Sequence, residues 1–254
     1  MVELKDYNQD FYADQQVSSL GSAKALLPII NEMFKPKSVV DVGCGIGAWL
    51  QVWNNSFGIT DYFGIEAPFI LKEMLIVNSD KVLFTDLNRE FKIGRHFDIA
   101  MCLEVAEHIE PSGAKQFVAN LAMLSDVVIF SAAIPGQEGT FHVNEQWPEY
   151  WAEKFADNGF VPVDAIRKLI WRDERINYWY RQNMIIFVKR ERLLDYPQLA
   201  AACQLTDPDF LTRIHPDLLA YKTTIVSQLN SPLGYWRKQG YFAKVWIKNR
   251  IKRL

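Results

Sequence analysis

A glycine-rich loop in the first fifth of the chain has the residue types of a ligand-binding turn. Asp41 is followed by glycines at positions 43, 45 and 47, and the loop leads from a short apolar run into a predicted helix at about residues 47–56. Glycine allows positive φ angles and close approach of a ligand to the backbone, and a helix N-terminus offers N–H groups without partners. We therefore expect a bound ligand here and not merely a tight turn.

The glycines alone leave two kinds of ligand open. Gly43-x-Gly45-x-x-Ala48 also satisfies the dinucleotide-binding pattern, in which the loop holds a pyrophosphate. Asp41, two residues before the first glycine, would repel a pyrophosphate and attract the ammonium group of an amino acid. The acid therefore favours a ligand that carries an amino-acid group.

Two further acids follow predicted strands, at the edge where such sheets bind ligands. Glu66 ends the second strand, YFGIEA (62–67), and Asp86 follows VLFT in the third, VLFTDL (82–87). The segment CLEVAEHIEP (102–111) overlaps the end of the fourth strand, FDIAMCLE (97–104). With DVGCGIG, these segments resemble, in order, the motifs of class I S-adenosylmethionine-dependent methyltransferases.

The resemblance implies a contact with the cofactor for each motif. Asp41 and the loop glycines would bind its methionine part, and Glu66 would accept both ribose hydroxyls. The adenine would be bound by the carboxylate of Asp86 and the backbone N–H of Leu87. The methionine end would also be lined by the residues after strand four: Cys102, Leu103 and Glu104.

Three longer stretches are similar to a bacterial group of stand-alone methyltransferases that modify small molecules and sugars. They are SAKALLPIINEMFKPKSVVDVGCG, FSAAIPGQEGTFHVNEQWPEYWAEKFADNGF and INYWYRQNMIIFVKR, so the similarity covers about residues 7–190. It implies S-adenosylmethionine as cofactor, S-adenosylhomocysteine as product, and a small-molecule, sugar or glycan hydroxyl as acceptor. Alternatives are an N-methyltransferase, a non-catalytic S-adenosylmethionine-binding protein and an NAD-linked dehydrogenase. No nucleic-acid substrate is expected, because CLEV stands where base-amino methyltransferases carry D/N-P-P-Y/F.

Methyl transfer to a hydroxyl needs in-line positioning and benefits from a general base. His142 lies in GTFHVNEQW after the fifth strand, near Asn144 and Glu145, and Glu145 could orient its imidazole. We predict His142 as the base, with Asn144 and Glu145 at the substrate; the alternative is that this segment only closes the loop. His108, after strand four, is a second catalytic candidate, although packing against the cofactor explains it equally well.

Polar and aromatic side chains cluster where the last predicted strand (181–189) opens. Aromatic faces stack on sugar rings and attract cations, so we expect an acceptor-binding role, against the alternative of an ordinary core edge. The residues are Trp179, Tyr180, Arg181 and Asn183. Resemblance also implies a lid over the cofactor formed by Tyr7, Phe11 and Tyr12.

The order of predicted elements indicates the fold class. Short apolar strands alternate with helices, which is typical of an α/β, Rossmann-like doubly wound sheet of seven mostly parallel strands. We expect strands at about 163–171 and 181–189 to form an antiparallel closing hairpin with a short connection. Residues 1–192 are interpreted as the catalytic domain, with 1–36 as helical lead-in or lid, and 193–254 as a helical C-terminal appendage.

Composition excludes several classes of protein. The 254 residues carry a net charge of −2, which argues against a protein that coats nucleic acid by bulk charge. Three widely spaced cysteines fit neither a disulfide framework nor a zinc ligand set, so we expect a cytoplasmic protein. The four histidines also lie far apart along the chain, and there is no carboxylate cluster like that of magnesium-dependent catechol-type enzymes, so we predict no metal, with convergence of distant ligands in the fold as the alternative. Residues 237–254 contain seven Lys or Arg and no acid. We interpret 235–254 as an amphipathic helix docked on the domain, with peripheral contact to an anionic membrane or lipid-linked glycan as the alternative.

Overall fold

The computed structural model describes residues 9–68 and 72–230, with the side chains of 19–68 and 72–228. The chain divides into two compact units, Met1–Arg213 and Ile214–Leu254. The predicted lid residue Tyr7 and the basic segment 235–254 lie outside the described residues, as do the side chains of Phe11 and Tyr12. Their expected contacts with cofactor and membrane stay predictions. Within the described part of the chain, no helix has the length and apolar character needed to cross a membrane.

The first unit is built on a seven-stranded sheet in the order β3-β2-β1-β4-β5-β7-β6. Strands β1 to β5 are parallel, and β7 runs antiparallel to both β5 and β6. This arrangement confirms the predicted fold class. The strands are β1 (Ser38–Val42), β2 (Asp61–Glu66), β3 (Val82–Phe84), β4 (Ile99–Leu103), β5 (Val127–Ser131), β6 (Phe160–Val163) and β7 (Ile185–Lys189).

Helices cover both faces of the sheet. In the first unit they are α1 (Gln9–Phe34), α2 (Ala48–Phe57), α3 (Ala114–Leu124), α4 (Pro148–Ala156), α5 (Arg167–Ile170), α6 (Tyr178–Asn183) and α7 (Pro197–Gln204). The second unit contains α8 (Pro216–Asn230). Strands that are covered on both faces consist of continuous apolar runs. For this reason β1, β4 and β5 could be predicted from the sequence.

Alternate side chains of a strand pack into two separate hydrophobic cores, one on each face of the sheet. In β7, Phe187 packs in the core under α3 and α4, whereas Ile186 packs in the core under α1 and α2. Phe155 of α4 stacks on Phe187 with ring centroids 3.9 Å apart. Trp53 of α2 is fully buried on the opposite face. This two-sided packing fixes the heights of the strand ends, and so the positions of the loops that follow them.

The predicted closing hairpin is correct in direction but wrong in its bounds. The expected strand at 163–171 is β6, which ends at Val163, followed by α5, and residues 179–183 lie on helix α6 instead of opening a strand. Residues 164–184 therefore connect the two strands with a pair of short helices, not with a short turn. Short apolar runs fit a buried helix as well as a strand, and periodicity does not separate the two.

Candidate functional site

A cavity of about 600 Å³ opens at the carboxyl ends of β1 and β4. The glycine loop forms one wall, and the segments after β4 and β5 form the facing wall. Helix α6 contributes aromatic side chains. Among the predicted site residues, those that line it are Asp41, Gly43, Gly45, Leu103, Glu104, His108, His142, Trp179 and Tyr180.

The glycine loop needs its glycines for two different reasons. All three have positive φ angles: 75° at Gly43, 55° at Gly45 and 91° at Gly47. A Cβ on Gly43 would lie 2.3 Å from a methyl carbon of Val105, and one on Gly47 would lie 2.5 Å from Val77. A Cβ on Gly45 would meet nothing within 4 Å. Two glycines are therefore required by packing as well as by conformation, and Gly45 by conformation alone.

Two buried carboxyl groups stand beside this loop. Glu66, at the end of β2, accepts hydrogen bonds from the N–H groups of Gly45 (2.5 Å) and Ala67 (2.7 Å). Oδ2 of Asp41 is buried and has no hydrogen-bond partner. Burial, and secondarily the charge of Glu66, raises the pKa of Asp41 to about 8, and burial raises the pKa of Glu66 to about 7. A cation or a set of hydroxyl donors at this point would relieve the cost of ionising them.

Glu104 follows β4 in a strained conformation, with φ 55°. Its carboxylate accepts hydrogen bonds from Gln137 Nε2 (2.9 Å) and Asn183 Nδ2 (3.1 Å). Its backbone N–H donates to the carbonyl of Ser131 at 2.9 Å. Non-glycine residues in this region persist only where the surroundings hold them, so three segments of the chain fix this carboxylate at the cavity wall.

Two histidines and one acid form a cluster in the segments that follow β4 and β5. The rings of His108 and His142 meet edge to face with centroids 4.9 Å apart. His142 Nδ1 lies 2.8 Å from Glu145 Oε1, and His108 Nδ1 lies 3.3 Å from the carbonyl oxygen of Phe141. Glu107 is 1% exposed, and neither of its carboxylate oxygens has a partner at hydrogen-bonding geometry.

Burial shifts the pKa values of His108 and Glu107. It lowers the pKa of His108 to about 4, with a smaller contribution from His142, so the His108 imidazole is neutral at pH 7. Burial also raises the pKa of Glu107 well above its ordinary value; the charge of Glu104 adds to this, and nearby backbone N–H groups oppose it. Perturbed groups of this kind, facing a cavity, are typical of functional sites.

The loop that carries His142 is held by its own acid. Glu145 accepts hydrogen bonds from the N–H groups of Gly136 (2.8 Å) and Glu138 (2.7 Å) in addition to the imidazole. A Cβ on Gly139 would lie 2.2 Å from His142 Nε2, so the backbone packs directly against the ring. Glu145 therefore shapes the loop and orients His142 at the same time.

Other predicted residues do not line the cavity. Asn144 is buried and its N–H donates to the carbonyl of Glu107 at 2.9 Å. Asp86 is half-exposed beside Arg89, and Leu87 is buried in the core under α3 and α4. The remaining residues outside the lining are Gly47, Glu66, Cys102, Glu145, Arg181 and Asn183.

Sequence reasoning missed several residues that the cavity brings in. Glu107 could have been predicted as a site residue, because it lies three residues after Glu104 and directly before His108. Gln137 and Gly139 could not, since their contacts with Glu104 and His142 depend on the path of a long loop.

Comparison with known proteins identifies the family of this chain and solved structures with a similar fold. Residues 18–179 match the family model described as "Methyltransferase domain". The sugar N-methyltransferase KedS8 from Streptoalloteichus sp. is similar at 16% identity and a TM-score of 0.56, over 75% of this chain and 94% of that one. CalS10, an amino pentose methyltransferase from Micromonospora echinaspora solved with S-adenosylmethionine bound, is similar at 16% identity and a TM-score of 0.51, over 72% and 98%. No curated protein matches this chain in sequence.

Proposed function

The chain belongs to the methyltransferase domain family, and from this premise we propose that it transfers a methyl group to a hydroxyl of a small molecule, sugar or glycan. It is an S-adenosylmethionine-dependent methyltransferase: S-adenosylmethionine is the methyl donor and S-adenosylhomocysteine the product. The class of acceptor, a hydroxyl of a small molecule, sugar or glycan, is the part that we propose.

The cofactor is proposed to lie along the glycine loop. Asp41, whose Oδ2 has no partner, would accept the ammonium group of the methionine part. Glu66 would accept the two ribose hydroxyls, since a carboxylate that already takes two backbone N–H bonds keeps further lone pairs. The backbone of Leu87 and the carboxylate of Asp86 would bind the adenine. Leu103 and Glu104, with Cys102 behind them, would enclose the methionine end.

The hydrogen bond between His142 and Glu145 carries the catalytic proposal. A carboxylate at Nδ1 leaves the lone pair of the imidazole on Nε2, and His142 lines the cavity facing the glycine loop. His142 would accept the hydroxyl proton as the oxygen attacks the methyl carbon in line, while the C–S bond breaks and its electron pair stays on sulfur. A positioned base contributes roughly 10²–10⁴-fold. His108, neutral beside it, would support this ring.

The acceptor is proposed to lie against helix α6. Trp179 and Tyr180 line the cavity and present flat faces of the type that stack on sugar rings. Asn183 and Arg181 are buried behind them, and Asn183 fixes the carboxylate of Glu104. None of Arg181, Asn183 and Asn144 lines the cavity, so we propose that they position the wall that the substrate contacts.

Two measurements test this function. Calorimetric titration with S-adenosylmethionine and with NAD should give binding of the first only, and tight NAD binding without a response to S-adenosylmethionine would refute the assignment. Incubation of cell extract with isotope-labelled cofactor, followed by mass spectrometry, should identify an O-methylated product. A product labelled on nitrogen would refute the hydroxyl as acceptor and show that the acceptor group is an amine.

Variants test the base once an acceptor is known. His142→Ala should lower kcat by roughly 10²–10⁴-fold with little change in cofactor affinity. His96→Ala is the matched control, because His96 is half-exposed beside Asp126 and precedes the amino end of β4, whereas the cavity opens at the carboxyl end of that strand. Equal turnover in both variants would remove His142 from the reaction.

A further inference from the structure

We propose that Glu107, His108 and His142 form a site for a divalent transition-metal ion. One side-chain ligand atom from each of these residues lies within 4.8 Å of the other two. The prediction of no metal rested on the spacing of histidines and cysteines along the chain, and this cluster joins residues 34 positions apart. The site and the kind of metal ion are inferred from the ligand atoms alone. The role of the ion in the reaction rests on the proposed methyl transfer.

The Nδ1 contacts of both imidazoles leave the same nitrogen free to bind a metal. The carbonyl oxygen of Phe141 can only accept, so Nδ1 of His108 must carry the proton in that contact. The carboxylate of Glu145 places the proton of His142 on Nδ1 in the same way. In each ring the lone pair is then on Nε2, the atom available to a metal. A carboxylate or carbonyl behind a histidine is the usual outer partner of a metal ligand.

Glu107 gives an independent indication that a cation binds at this cluster. It is 1% exposed, its two oxygens have no partner at hydrogen-bonding geometry, and its Oε1 lies 3.9 Å from His142 Nε2. Buried carboxylates are normally paired or bound to a metal. Ligand atoms around a four-coordinate zinc are about 3.3 Å apart, given bonds of about 2.0–2.2 Å. Small side-chain rotations would therefore bring these atoms into coordination.

The ligand set indicates which cation would bind. Two imidazole nitrogens with one carboxylate suit Zn²⁺, Co²⁺ and related first-row ions better than Mg²⁺ or Ca²⁺, which prefer oxygen ligands. Three protein ligands also leave coordination positions open, as in catalytic zinc sites. All three residues line the cavity, so the open positions face the space assigned to the acceptor.

In methyl transfer, the cation would bind the acceptor oxygen and lower the pKa of its hydroxyl. The proton leaves to water, the new C–O bond forms as the C–S bond breaks, and the electron pair remains on sulfur. The lone pair of His142 would then be used by the metal, so the cation takes over the activation assigned above to the imidazole. Cofactor binding at Asp41 and Glu66 is unaffected by this choice.

Metal titration of the full chain tests the site without any acceptor. After dialysis against chelator, calorimetry with Zn²⁺ should show about one ion per chain, with weaker binding of Mn²⁺ in line with the usual affinity order. Co²⁺ should give a visible absorption spectrum typical of nitrogen and oxygen ligands. Absence of stoichiometric Zn²⁺ binding would overturn the proposal, and because S-adenosylhomocysteine binding is measured separately, the methyltransferase assignment would stand.

A graded series of variants locates the ion. Glu145→Gln removes the negative charge beside His142 Nδ1 and replaces one of the two acceptor oxygens that hold the loop, and it should weaken Zn²⁺ binding roughly 10–100-fold. Glu107→Gln and His142→Ala remove ligands and should weaken it further and abolish the Co²⁺ spectrum. His96→Ala is the control and should bind as wild type, and circular dichroism of each variant checks its fold. Wild-type affinity in both ligand variants would place the ion elsewhere and overturn the proposal.

Discussion

Ionisation of Asp41 should by itself strengthen the binding of S-adenosylhomocysteine about 50-fold between pH 6 and pH 8. Burial, with a smaller contribution from Glu66, raises the pKa of Asp41 to about 8. About 1% of the group is ionised at pH 6 and about half at pH 8, and only the carboxylate attracts the ligand's ammonium group. The ratio corresponds to about 2.3 kcal/mol of binding free energy.

Glu66 adds a second, smaller contribution to the same profile. Its pKa is raised to about 7 by burial, so its ionised fraction increases about tenfold over this pH range. In Asp41→Asn the 50-fold component should vanish and only the tenfold component remain. Cofactor binding at pH 8 should also weaken, because a neutral amide attracts the ammonium group less than a carboxylate does.

Calorimetry at constant ionic strength provides the assay, with the proton release at pH 7 obtained from buffers of different ionisation enthalpy. The ligand-free protein should show the opposite trend in stability. The unfolded chain loses the Asp41 proton near pH 3.8 and the folded chain retains it to about pH 8, so this group lowers the free energy of unfolding as the pH rises through that interval. An identical pH slope of affinity in wild type and Asp41→Asn would refute the assignment of the ammonium group to Asp41.

Two glycine substitutions should separate the energetic cost of an unfavourable backbone conformation from the cost of a steric clash. A third substitution should test the loop that carries His142. Gly43→Ala combines a positive φ with a Cβ placed 2.3 Å from Val105 and should cost roughly 2–4 kcal/mol, whereas Gly45→Ala, where nothing lies within 4 Å, should cost about 1 kcal/mol. Urea unfolding measures both, and equal losses would contradict the packing argument. Gly139→Ala places a Cβ 2.2 Å from His142 Nε2 and should lower kcat more than it changes the affinity for S-adenosylhomocysteine. Unchanged turnover would show that the position of this ring is not critical.

Much of the fold could be predicted from local pattern. Strands β1, β4 and β5 are apolar runs buried on both faces, and α1 follows helical spacing up to Phe34, ahead of Lys35, which has a positive φ. The end of the sheet could not be read in the same way. The segment after Val163 is apolar enough for a strand, yet it forms α5, because both outcomes bury the same side chains and only tertiary packing decides between them.

The sequence was enough to predict the cofactor and a set of residues proposed to bind it. Asp41, the loop glycines and Glu66 lie at or just after predicted strand ends, and parallel strands bring such ends to one edge of the sheet. Only the tertiary structure joined Glu107 and His108 to His142. The distance between them depends on how the chain from Ala132 to Trp147 returns over the cavity, and Glu145 and Gly139 set that path through contacts that no local spacing encodes. The acceptor side of the site, and the cation proposed there, are therefore properties of the folded loop, since long-range geometry and not residue pattern brings the ligand atoms together.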